Sequence, residues 1–177
     1  MFVLSVDVDK VGFNVLRLKI EERSRRFVFY SHKQYFWADM NGALTEELTT
    51  DERRSMQERI LGQRAVHDDD PPLIHRDLDE FVEPGYVIAD AETVRTWTET
   101  SEALLKAGLL YREYSPPTGS TTVAVVRSQE GYPVMLDTSE SLESQIKTFL
   151  AFVQSHPKDL KVEEYVDVRI PGRIYVK

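Results

Sequence analysis

The 177-residue sequence contains no cysteine. That excludes disulfides, thiolate zinc sites and cysteine nucleophiles together, without fixing the compartment. No window reaches the roughly 18 consecutive apolar residues of a membrane span. Met1-Phe2-Val3-Leu4 runs straight into Asp7 and Asp9 with no basic region before it, so any anchor or export signal is expected to lie outside this chain. A basic surplus is missing too: 22 Lys and Arg stand against 30 Asp and Glu, a formal charge of -8. Nucleic acid and acidic membrane surfaces are therefore disfavoured as partners, because phosphate recognition needs clustered cations.

Several chemistries lack their motifs as well. Neither standard Gly-rich phosphate loop occurs, which leaves nucleotide binding without a basis. There is no Gly-x-Ser-x-Gly elbow, and Gly119-Ser120-Thr121 reads as a turn. The acid pairs Glu46-Glu47 and Glu163-Glu164 are adjacent and point to opposite faces of a strand, which unsuits them for paired acid and base roles. His67-Asp68-Asp69-Asp70 with His75 beyond it could hold a divalent ion. Its spacing matches no ligand motif, and Pro71-Pro72 break regular structure, so a solvated acidic loop is the expectation. The four histidines (His32, His67, His75, His156) read as surface residues, and Tyr35-Phe36-Trp37 as core or interface. No catalytic activity, metal or cofactor is expected.

What is present is a foldable chain: 41% hydrophobic and 29% charged residues suit one domain, or one domain with part of another. Alternation over Leu4–Val8 and Leu16–Ile20 predicts a hairpin turned by Gly12-Phe13-Asn14. Phe27–Ser31 and Gln34–Asp39 predict a second strand pair, followed by a tight Met40-Asn41-Gly42 turn. Thr50 is expected to cap a helix to about Leu61, and Asp90 one from Ala91 to Ala107 with Gly108 at C′. Leu109–Tyr114, Thr121–Arg127 and Pro133–Asp137 read as strands joined by hairpin-length loops. A helix over about Glu140–Gln154 follows, with Pro157 ending the region. From Val166 to Val176 every even position except Gly172 is apolar, which predicts one long terminal strand. The expected fold is α+β, a mainly antiparallel sheet with helices on one side.

The closing run Glu164-Tyr165-Val166-Asp167-Val168-Arg169-Ile170-Pro171-Gly172-Arg173-Ile174-Tyr175-Val176 resembles the terminal strand signature of the FtsQ/DivIB cell-division family. In the same order, the run from Val8 to Arg23 (VDKVGFNVLRLKIEER) resembles the last hairpin of that family's POTRA domain, and Tyr35 to Leu44 (YFWADMNGAL) its next hairpin. The resemblance implies two parts: residues 1–23 as the end of a truncated POTRA-like domain, and residues 24–177 as the beta domain. It also implies a non-enzymatic divisome scaffold on the outer face of the bacterial cell membrane. Such a scaffold binds bitopic coiled-coil division proteins of the FtsB and FtsL kind, and it touches the membrane only through an anchor absent from this chain. The partner-binding residues it implies are Ile170, Gly172, Arg173, Ile174, Tyr175 and Val176. The competing readings are a POTRA-bearing factor of outer-membrane assembly or secretion, and a metal-dependent enzyme using the acidic loop.

Pro171 sharpens the binding expectation. A proline lacks the amide a ladder needs, so the terminal strand is expected at a sheet edge with position 171 facing outward. The outward amides that follow would then be those of Arg173 and Tyr175, free to pair with an added partner strand.

Overall fold

The computed structural model describes residues 3–11, 13–155 and 162–177; Gly12 of the expected first turn, and His156 and Pro157 after the last helix, lie outside these. Val3–Lys10 (β1) and Leu16–Glu22 (β2) pair antiparallel in a two-stranded sheet of their own. Val6 stands opposite Ile20 and Val8 opposite Leu18, while on the other face Asp7 stands opposite Lys19 and Asp9 opposite Arg17. Opposite charges thus face one another across the polar face, and the apolar face is left exposed. The hairpin leads into the rest of the chain at Arg23, whose guanidinium donates to the buried Asp39 carboxylate.

All other strands form one nine-stranded sheet. Phe27–Ser31 (β3), Gln34–Ala38 (β4) and Leu44–Glu47 (β5) make a meander, Leu73–His75 (β6) lies parallel beside β3, and Tyr111–Ser115 (β7) lies parallel beside β6. Val123–Ser128 (β8) and Pro133–Asp137 (β9) follow as antiparallel neighbours. Val166–Asp167 (β10) runs parallel to β9, and Tyr175–Val176 (β11) closes the sheet antiparallel to β10. The order across the sheet is β11-β10-β9-β8-β7-β6-β3-β4-β5. Most neighbours are antiparallel, and with three helices the fold is α+β as expected.

The three helices form where the capping chemistry places them. Thr50–Leu61 (α1) is capped by Thr49, one residue earlier than expected, whose hydroxyl accepts from Glu52 N while the Glu52 carboxylate accepts from Thr49 N. Ala91–Lys106 (α2) starts at Asp90, which accepts from Thr93 N, and ends before Gly108 at φ +89°. Leu142–Ser155 (α3) buries Ile146, Phe149 and Phe152. α2 and α3 cover one sheet face, where Phe27, Phe29, Phe36, Val126, Leu136 and Val166 meet Trp97, Leu104 and Phe149. α1 departs from the one-sided expectation. Its Met56 and Ile60 pack with Val28, Tyr35, Leu48 and Leu73 on the opposite face. The reason is the alternation of β3 itself: Val28 points away from the Phe27 and Phe29 side, so both faces of this strand need cover.

The β3–β4 turn carries strain. His32 (φ 48°) and Lys33 (φ 66°) both adopt the left-handed region in a two-residue hairpin loop, where Asn-Gly is the favoured pair. Lys33→Gly should therefore raise stability by about 0.5–1 kcal/mol, seen as a higher melting temperature. A lower one would contradict this reading of the turn.

Candidate functional site

The carboxy-terminal residues do not form one long strand. Ile170 O accepts from Arg173 N (3.0 Å), with Gly172 at φ +71°. Proline at the second position and a positive-φ glycine at the third are the signature of a type II turn. Pro171-Gly172 thus reverses the chain where an outward-facing residue in a continuing strand was expected, and β11 folds back on β10. The Asp167 carboxylate sets the start of the reversal, accepting from Arg169 N (3.1 Å), Nε (2.9 Å) and NH2 (2.7 Å). That guanidinium holds the Asp167 carboxyl below its ordinary range, against a smaller upward push from burial.

The turn inverts the register of free amides. Lys177 N donates to Tyr165 O (3.1 Å) and Tyr165 N donates to Lys177 O (3.3 Å), so these two residues are a hydrogen-bonded pair. Hydrogen-bonded pairs alternate in an antiparallel ladder, which makes Asp167 and Tyr175 the next one and Val166 and Val176 the non-bonded pair between them. The outward amides on β11 are therefore those of Ile174 and Val176. Arg173 spends its amide on the turn and Tyr175 on β10, contrary to expectation.

The structure brings the six expected partner-binding residues together on this small hairpin. Ile170, Gly172, Arg173, Tyr175 and Val176 are exposed, and Ile174 is half-buried. Val176 lies opposite Val166, on the α3 side of the sheet. A groove of about 530 Å³ runs there between Thr148, Ala151 and Phe152 of α3 and Gly172, Ile174 and Val176.

The two edges of the large sheet are finished differently. At β5, Leu44 N donates to Tyr86 O (2.9 Å), Gly85 N to Leu44 O (2.7 Å) and Ile88 N to Gly42 O (2.9 Å), and Ala43 bridges Val87. Beyond that cover, Glu46 pairs with Arg25 (2.7 Å) and Glu47 with Arg53 (3.1 Å), so charge blocks the remainder. No such cover lies over β11 among the described residues.

The residues weighed for catalysis sit apart from one another. Asp70 turns inward, accepting from Arg64 (2.8 and 2.9 Å) and His67 N (2.9 Å), while Asp68 and Asp69 stay exposed. Burial pushes the Asp70 carboxyl up, but the hydrogen bonds from Arg64 and His67 N together with the charges of Arg64 and Arg59 hold it below its ordinary range. His75 is half-buried on the α1 face of the sheet. It lies 3.4 Å from the Glu113 carboxylate, which also accepts from Arg127 Nε (2.9 Å), and 3.7 Å from Asp77. Among the described residues no group of His, Asp and Glu has the closeness a metal ion requires.

This His75 cluster gives a pH signature. Hydrogen bonding to Glu113 raises the imidazole above its ordinary value despite burial. For Glu113, burial acts upward, yet hydrogen bonds from His75 and Arg127 prevail and lower it. A raised imidazole stabilises fully below its unfolded value near 6.5 and loses that as pH rises through the folded value. A lowered carboxyl stabilises above its unfolded value near 4.5 and loses that as pH falls through the folded one. The pair thus contributes most between about pH 4.5 and 6.5. In urea titrations, His75→Gln should flatten the decline in stability as pH rises above about 6.5; an unchanged slope would rule the pair out as its cause.

No protein-family model matches the chain, and no curated protein matches it. Among solved structures it is similar to the major extracytoplasmic domain of the trans isomer of the bacterial cell division protein DivIB from Geobacillus stearothermophilus. The identity is 17%, the match covers 80% of this chain and 99% of that one, and the TM-score is 0.38.

Proposed function

We propose that this chain is the extracytoplasmic part of a non-enzymatic, FtsQ/DivIB-like division scaffold that captures a partner by strand addition at β11. The observation that carries this is the asymmetry of the sheet edges: β5 is covered and charged, whereas β11 leaves the amides of Ile174 and Val176 unclaimed beside an apolar groove. An added strand would take its main-chain hydrogen bonds from those two residues and lay alternate side chains over the α3 groove. The order of the sequence motifs supports the family. The expected partners are bitopic coiled-coil division proteins of the FtsB and FtsL kind, at the septum, with a membrane anchor outside these residues. Residues 1–23 fit the end of a POTRA-like domain, since an exposed two-stranded ribbon with one apolar face is marginal alone. Removing residues 174–177 should abolish binding of the partner ectodomain, measured by calorimetry, while the remaining domain, less stable for the lost pairing with β10, still unfolds in one cooperative urea transition. Retained affinity would refute strand addition at this edge.

A further inference from the structure

The segment after β6 runs from the end of β3 to the β5 edge of the sheet and is pinned at both ends. Arg76 N donates to Tyr30 O (3.1 Å), Leu78 N to Ser31 Oγ (3.3 Å) and His32 N to Asp77 Oδ1 (3.3 Å), and the His32 ring nitrogen Nε2 bonds with Leu78 O. Downstream, Gly85 N donates to Leu44 O (2.7 Å) and Tyr86 N to Glu83 O (3.0 Å). Leu78 packs against the core and Val82 is buried in it. Between them Phe81 stands 84% exposed, with its ring 5.2 Å from that of His32. Four carboxylates share the segment: Asp77, Asp79, Glu80 and Glu83.

A large aromatic side chain on a frayed loop needs no account. This one sits on a segment tied to the end of β3 on one side and to β5 on the other, through Arg76, Asp77 and Leu78 and through Gly85. A ring held in place loses little freedom on burial, and the anchors of protein interfaces are aromatic side chains entering a desolvated pocket within a polar rim. The local charge selects the partner. Four acids exclude an anionic lipid surface or a nucleic acid and favour a rim of Lys and Arg.

We propose that Phe81 anchors an interaction surface for a partner protein that offers an apolar pocket ringed by basic side chains. This surface is separate from β11 and does not depend on strand addition there. The test replaces Phe81 by the photocrosslinker p-benzoylphenylalanine in the full protein in its native host, with Leu61 on α1 substituted likewise as an exposed control. The expected result is one discrete protein adduct at position 81, none at 61, and a yield reduced at least about tenfold by the double change Asp79→Lys, Glu80→Lys. Purified Phe81→Ala should melt at the unaltered temperature, which separates lost docking from lost folding. No adduct, the same adduct from both positions, an adduct with lipid or with a second copy of this chain, or a yield indifferent to charge reversal would each overturn the proposal. All readings are made with β11 intact, so failure of either surface leaves the other standing.

Discussion

Arg59→Ala is expected to destabilise the protein by about 3–5 kcal/mol, among the largest effects of any single truncation in it. Arg59 lies on α1 yet is only 1% exposed. Its guanidinium donates to Pro71 O (2.8 Å) and Tyr111 O (2.9 Å) and lies 5.7 Å over the Tyr111 ring. It has no carboxylate within ion-pair distance among the described residues, and its Nε finds no hydrogen-bond partner. Burial lowers its pKa, yet an arginine keeps its charge. Alanine would empty the site and orphan the buried Tyr111 carbonyl, at about 1–3 kcal/mol, and the half-buried Pro71 carbonyl at less, with a cavity added. Arg59→Met fills much of the volume without a charge to desolvate but leaves the same two carbonyls without their donor, so it should recover only the cavity part of the loss. The urea midpoints of the two variants check this, and a loss below about 1 kcal/mol for alanine would mean that the helix is not held through Arg59.

Gly42→Ala is the second large effect. Asp39 organises its turn, accepting from Asn41 N (2.9 Å) and Ala43 N (3.0 Å), and Gly42 O accepts from Ile88 N (2.9 Å). Gly42 has φ +78°, and a Cβ there would lie 2.2 Å from Ala89 O and 3.1 Å from Val94 Cγ2. The first of these is backbone, already tied to the β5 edge through Ile88, so it cannot step aside cheaply. A loss of about 3 kcal/mol or more is expected, or a fall of roughly 6–12 °C in melting temperature for a chain of this size. Gly85→Ala is the matched control. Gly85 has φ +97° but nothing within 4 Å of its missing Cβ, which leaves only the backbone cost of about 1 kcal/mol. Equal losses at the two positions would show that backbone conformation, not the contact with Ala89, governs Gly42.

These two residues also mark how far the sequence could be read. The Gly42 turn, the Asp90 cap and the β7, β8 and β9 hairpins were legible because local chemistry fixes them: positive φ, an orphan amide, a two-residue alternation. Two other elements were not. β6 has three residues, too few for a period to register, and its place between β3 and β7 comes from parallel pairing across long connections. The position of α1 was equally hidden, since a helix with so narrow an apolar stripe does not say which sheet face it covers. Arg59 reads as an ordinary surface residue until Tyr111 is brought beside it.

The candidate site was legible in its residues and not in its geometry. Alternation from Val166 to Val176, broken only at Gly172, argued for one strand with Pro171 at a sheet edge, whereas Pro171-Gly172 forms a turn. The turn prevails because proline presets φ at one central position and glycine alone tolerates φ +71° at the next without strain. Val166 and Val176 reach the same sheet face all the same, because the two arms pair with each other. The consequence for binding is a change of parity, from Arg173 and Tyr175 to Ile174 and Val176.

That parity is the most direct test of the account. Semisynthetic protein methylated on the backbone nitrogen of Val176 should bind the ectodomain of the proposed division partner more weakly, by about 0.5–1.5 kcal/mol for the lost hydrogen bond, with an unchanged thermal melt. Methylation at Tyr175 should instead lower the melting temperature by breaking the bond to Asp167. Equal binding by the Val176 variant and the unmodified protein would contradict strand addition at β11.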